Sequence, residues 1–179
     1  MINFRREIPS RAFLNAAIID RAVQTEAFAE SARLALTGAG FAPDLQYQFK
    51  NPAFIAGLLY CLIVVPKEIW ISAKDDPVYR RLEEKGLLAL FKVNLKHKDY
   101  DKAPMYYLIH RLRNAVAHAR FSIDASQAFK FWDQPEKDAQ RSWEASISNE
   151  HLMCFLSKLA QVIVFLQDDP LRHIHEEAE

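Results

Sequence analysis

The most specific chemical pattern in the chain lies near its middle, where Arg113 is followed by Asn114 and, four residues further on, by His118 in the run RNAVAH. Arginine stays charged at any physiological pH, and its planar fork can grip two oxygens of one phosphate. Histidine, with an ordinary pKa of about 6.5, takes up or releases a proton near neutrality. Asn114 precedes His118 by one helical turn, where an amide can orient the imidazole or bind a phosphate oxygen. The set has the chemistry to hold an anion and move protons beside it. With twelve arginines and six histidines, about 0.4 Arg–His pairs are expected at this spacing by chance. Requiring Asn, Asp or His after the arginine lowers that to about 0.05.

The element that must carry these residues is a helix over about 104–119, opened by Pro104. Its apolar stripe is Met105, Leu108, Ile109, Leu112, Ala115, Val116 and Ala119, all within about 60° of Leu112 at 100° per residue. The opposite side presents Tyr107, His110, Asn114 and His118, flanked by Arg111 and Arg113, and is almost wholly cationic.

Around this helix the pattern predicts a mainly helical chain forming one domain over 1–179. An Ala-rich run from about Ser10 to Leu36 without Gly or Pro reads as one long helix, ended by Thr37, Gly38 and Gly40. Asn51-Pro52 opens a second helix over about 52–72, which Pro66 must kink or end. Asp76-Pro77 opens a third that runs to Gly86 and, with the Leu- and Phe-containing segment behind it, covers about 77–92. Alternating apolar positions over 120–147 predict a small antiparallel hairpin or three-stranded meander. A last helix over about 149–167 aligns Leu152, Phe155, Leu156, Leu159, Val162, Ile163 and Leu166.

Composition narrows the function classes. A net charge of zero argues against a protein that coats nucleic acid non-specifically, because such binding needs many uncompensated cations. The charge is unevenly placed, however. Residues 85–123 carry eight Lys or Arg against two acids, and residues 124–179 carry five against eleven. This predicts a local anion site, or an internal contact between the basic middle and the acidic end. Cys61 and Cys154 lack the spacing of a zinc or redox pair and read as reduced, buried thiols. No secretory leader is evident in residues 1–10, and the apolar run 53–65 is too short to span a bilayer, so the expected location is the cytoplasm with no membrane contact.

Arg113-Asn114-x3-His118, on the polar face of a late helix in a helical chain, resembles the Arg-polar-x3-His motif of the HEPN superfamily (higher eukaryotes and prokaryotes nucleotide-binding). The match of fold pattern spans most of the chain; residue by residue it covers these three positions. The resemblance implies a compact up-and-down helical bundle, dimerisation across the motif helix, and metal-independent cleavage of RNA. In such a reaction the 2′-hydroxyl of the RNA is the nucleophile, so the protein need only move protons and stabilise charge on phosphorus. His118 would be the acid or base, Arg113 the phosphate ligand and Asn114 its polar neighbour, with Tyr107, His110, Arg111 and Arg120 lining the RNA path. No metal or cofactor is expected. The resemblance also implies a role as a toxin or in defence, with a protein antitoxin as one kind of partner.

The geometry adds an expectation of its own. Arg113 and His118 sit about 140° apart around the helix, so one helix converges them poorly, whereas two helices across a two-fold axis would bring Arg113 of one chain to His118 of the other. A homodimer with a composite site is therefore expected. Two competing readings stand beside it: a non-cleaving HEPN module that binds RNA or a nucleotide, and a structural dimerisation protein. For the latter, cations at a helix C-terminus need only complement its dipole. The Lys96–Lys102 loop reads as solvated surface, and the tail residues His173, His175, Glu176 and Glu177 as a solvated end rather than a metal site. Trp132 reads as core or as a cap on the motif helix.

Overall fold

Among the described residues of the computed structural model there are seven α-helices and a four-stranded antiparallel sheet, with the core between the sheet and the helices other than the exposed second one. The structure describes residues 4–42, 51–69, 71, 73–96, 98–124, 126, 128–134 and 140–167. The mainly helical fold and the small sheet before the last helix agree with the sequence reading; the boundaries differ at several points, each for a local reason.

The first expected helix is two. Helix α1 (Phe4–Ala22) begins before Ser10 and carries Pro9 inside it, and α2 (Glu26–Gly38) follows a break at Val23–Thr25. Thr25 makes the break, since its hydroxyl accepts from the Phe28 N–H as an N-cap. The end at Gly38 agrees with the expectation, with Gly40 at φ 80°.

Helix α3 (Pro52–Leu59) starts as read, with the Asn51 side chain accepting from the Phe54 N–H. Residues Tyr60–Val64 then form a π turn that leads directly into α4 (Val65–Ile69), and Val65 N–H reaches back five residues to the Tyr60 carbonyl. Pro66 follows at once. In an ordinary α-helix its ring would strike the carbonyl four residues back, and the widened turn relieves that clash. The π turn packs on the motif helix, which matters for the site.

Helix α5 (Pro77–Glu84) is capped by the Asp76 carboxylate and stops short of the expected 92. Gly86, at φ 72°, turns the chain, and a 3-10 turn at Leu88–Leu90 leads into a strand, β1 (Lys92–Leu95). This strand was not anticipated. It pairs with β4 (Trp143–Ile147), while β3 (Phe129–Asp133) pairs with β4 on its other edge and with β2 (Phe121–Ile123), giving the order β1-β4-β3-β2. The residues around β1 do alternate, Phe91, Val93 and Leu95 with Lys92, Asn94 and Lys96, but the run is short and abuts the expected end of the third helix.

Helix α6 (Pro104–Ala117) carries the motif, and α7 (Asn149–Gln167) closes the core. The core unites Leu108, Leu112 and Ala115 of α6, Phe129 and Phe131 of β3, Trp143, Ala145 and Ile147 of β4, and Leu152, Phe155, Leu156, Leu159, Val162 and Ile163 of α7. Ala119 falls outside this core and is exposed, because α6 ends two residues earlier than its stripe predicts. Both cysteines are half-buried and free, and burial pushes the Cys61 thiol up from its ordinary pKa. No described helix is long and apolar enough to cross a membrane.

Candidate functional site

Strand alternation decides the centre of the site. Along β3, Phe129, Phe131 and Asp133 all face inward, so the period that buries two phenylalanines also buries a carboxylate. Asp133 is 4% exposed, the one buried charged side chain among the described residues. Helix α6 packs across β3, and it and the turn after it bring Asp133 three donors. Arg111 Nη1 donates to Oδ2 at 2.6 Å and Asn114 Nδ2 to the same oxygen at 3.0 Å, while Arg120 Nη1 donates to Oδ1 at 3.2 Å. Burial alone would push the Asp133 carboxyl up. The hydrogen bonds from Asn114 and Arg111 and the charges of Arg111 and Arg120 outweigh it, and the net shift is downward.

Asn114 passes this orientation on. Because its Nδ2 is committed to Asp133, its Oδ1 faces the other way and accepts from Arg113 Nη1 at 3.1 Å. Its amide makes no hydrogen bond to His118 and instead links the buried carboxylate to the motif arginine. On its opposite edge Arg113 meets Glu68 of α4, which accepts from Nε at 2.7 Å and also from Nη2. The π turn sets α4, and hence Glu68, against α6 at this point.

The end of α6 is built as a Schellman turn. His118 is the C-cap residue, Ala119 adopts φ 52°, Ala119 N–H bonds to the Val116 carbonyl and Arg120 N–H to the Ala115 carbonyl at 2.7 Å. Glycine is the usual residue at the positive-φ position, and alanine there is strained. The turn sends Arg120 back under β3, where its guanidinium holds Asp133 and the Gln134 carbonyl. It leaves His118 exposed, with its backbone N–H on the Asn114 carbonyl and no side-chain hydrogen bond to a described residue.

Towards the N-terminal end of α6 lies a second group. The His110 ring stacks on Tyr106 at 5.6 Å between centroids, and Lys67 and Lys74 lie over the Tyr106 ring at 5.5 and 5.8 Å. Lys74 is also 5.1 Å from the centre of Tyr107. Burial lowers the His110 pKa, and the charges of Arg111, Lys67 and Arg113 lower it further against the opposing pull of Asp133. The neutral form of His110 is therefore favoured beside several cations. Lys67 is itself lowered by burial, with Asp76 and Glu68 opposing.

The expected site residues thus fall into three environments: Arg113, Asn114, Arg111 and Arg120 in one network centred on Asp133, Tyr107 and His110 in the aromatic group nearer the start of α6, and His118 exposed past the helix end. The expected contact between the basic middle and the acidic end is realised in the ion pairs of Arg111 and Arg120 with Asp133. Asp133 and Glu68 were missed by the sequence reading. An acid at an inward position of an alternating strand was a usable signal for Asp133; no spacing marks Glu68. Trp132 neither enters the core nor caps α6 with its side chain, and carries the Arg141 guanidinium at 4.7 Å. No group of three or more potential metal ligands occurs among the described residues, and the His173–Glu177 tail lies outside them.

The family model described as HEPN pEK499 p136 matches residues 3–169. The chain belongs to this HEPN family. No curated protein and no solved structure matches it. Membership places this HEPN protein among modules associated with nucleases, RNA or nucleotide binding, and the matched span takes in every described helix and the whole sheet.

Proposed function

We propose that this HEPN protein is a metal-independent endoribonuclease whose working residues are Arg113, Asn114 and His118. The observation that carries the proposal is the contrast within the motif. Arg113 is held on two edges by Glu68 and Asn114, while His118, just past the helix end, has an exposed imidazole. A pre-oriented cation and a proton-exchanging group open to solvent are what phosphodiester transfer requires. In the proposed reaction a base removes the proton of the RNA 2′-hydroxyl and the oxygen attacks phosphorus. Arg113 stabilises the added negative charge, and the 5′-oxygen leaves with a proton from an acid. The products are a 2′,3′-cyclic phosphate and a 5′-hydroxyl.

His118 takes one of the two proton-transfer roles. The same residue of a second copy takes the other, since each copy supplies one exposed motif histidine; a homodimer with a composite cleft follows. Arg111 and Arg120 serve through Asp133, which fixes the Asn114 amide. Tyr107 and His110 flank the path of the RNA. A role as toxin or defence protein, with a protein partner that blocks the cleft, is consistent with such an activity.

The test is a pair of oligonucleotides of one sequence, one all-ribose and one 2′-deoxy throughout, with oligomeric state followed by light scattering. Cleavage of the first, binding without cleavage of the second and a dimeric mass are expected. Equal binding with neither strand cut would replace the nuclease with a binding module, and a strict monomer that still cuts would remove the composite cleft.

A further inference from the structure

We infer that Glu68 is a positioning residue for Arg113, holding its Nε edge so that the N–H groups left on its two terminal nitrogens are presented to the phosphate. The inference rests on the ribonuclease reading for what Arg113 grips, but the geometry stands without it. A guanidinium has five N–H groups. In Arg113 the Nε–H and one Nη2–H go to Glu68 Oε1, and one Nη1–H goes to Asn114 Oδ1. One N–H on Nη1 and one on Nη2 are left without a described partner. That remaining pair can form a two-pronged fork for a phosphate.

The two anchors come from different parts of the fold. Asn114 is fixed by the buried Asp133 of β3, and Glu68 stands on α4, brought there by the π turn ahead of Pro66. The arginine is therefore clamped between helix and sheet. The ion pair is partly exposed, with the Arg113 side chain at 29% and that of Glu68 at 52%, so it contributes little to stability but can fix orientation. A carboxylate in this place has two opposed consequences. As a positioning residue it aids transition-state binding; as a competitor it occupies the arginine and must be displaced by substrate. The hydrogen-bonding pattern favours the first, because Glu68 takes the Nε edge and each terminal nitrogen keeps an N–H without a partner among the described residues.

The experiment compares parent, Glu68→Gln, Glu68→Asp, Glu68→Ala and Arg113→Ala by cleavage kinetics on an RNA and by binding of its 2′-deoxy counterpart, with the Arg113 Nε–H NMR resonance as a readout independent of activity. Positioning predicts that Glu68→Ala lowers kcat about 10- to 100-fold with a smaller change in KM, as for a misplaced catalytic group. Glu68→Gln, which keeps an acceptor oxygen, should retain more activity than Glu68→Ala. The Arg113 Nε–H signal should be slow to exchange in the parent and fast in Glu68→Ala. Faster cleavage or tighter binding in Glu68→Ala would make Glu68 a competitor and overturn the inference. So would an Nε–H signal indifferent to Glu68. If Arg113→Ala binds and cleaves like the parent while the Nε–H signal still depends on Glu68, the clamp stands and the assignment of Arg113 to the phosphate fails.

Discussion

Replacing Asp133 by Asn tests the hub on which the site's orientation depends. The side-chain shape is kept, but the acceptor-only carboxylate becomes an amide with one acceptor and a pair of donors. Three donors converge on Asp133, from Arg111, Asn114 and Arg120, so at least one of them loses its acceptor and faces an N–H instead. Each buried donor left unsatisfied costs about 1–3 kcal/mol, and more when charged. The arginines are 16% and 18% exposed and can relax towards water, which limits the sum. Breaking a buried ion pair by removing one partner costs about 3–5 kcal/mol, which is the loss expected for Asp133→Asn. For a domain of ordinary stability, about 5–15 kcal/mol, this is a large fraction. Urea denaturation of parent and Asp133→Asn, with the slope held as a check on two-state behaviour, gives the difference directly. A loss of less than about 1 kcal/mol would refute the claim that the cluster is a buried, mutually dependent network.

Other consequences follow from the same geometry. Ala119→Gly relieves a positive φ at the end of α6 and should stabilise the protein by about 0.5–1 kcal/mol, read as a higher urea midpoint. Asp133 is held below the ordinary carboxylate range, and Asp124, bonded by the Ser126 hydroxyl and the Ala128 N–H, is pulled down to about 2. A carboxylate with a depressed folded pKa stabilises the fold above its unfolded value of about 3.9 and loses that contribution as pH falls through its folded value. Thermal stability should therefore drop between about pH 4 and pH 2, with a shallower drop in Asp133→Asn. His110, whose pKa is lowered chiefly by burial, should titrate below about 6.5 in an NMR pH series.

Most of the architecture was legible because its signals are local and strong: Asn51 and Asp76 before prolines, and the period-two strands β3 and β4. The Thr25 cap was equally local but lay inside an Ala-rich run whose helix propensity is continuous across it. Strand β1 was missed although Phe91, Val93 and Leu95 alternate with Lys92 and Asn94, because so short a run abuts the expected third helix and gains its place only by pairing with β4, about fifty residues away. In the site, the helix wheel found the polar face of α6 but could not say which of its cations meet an acid. That depends on the register of β3 against α6 and on the π turn before α4, both tertiary. Arg111 and Arg120 look like free cations in sequence and are paired in the fold.

The most direct test of the central claim is cleavage of a mixed RNA in excess EDTA by the purified parent beside His118→Ala and Arg113→Ala, with the new ends analysed. The account predicts 2′,3′-cyclic phosphate and 5′-hydroxyl ends from the parent and loss of cleavage in both variants. Cleavage by the parent that either variant retains in full, or that yields 3′-hydroxyl ends, would contradict it.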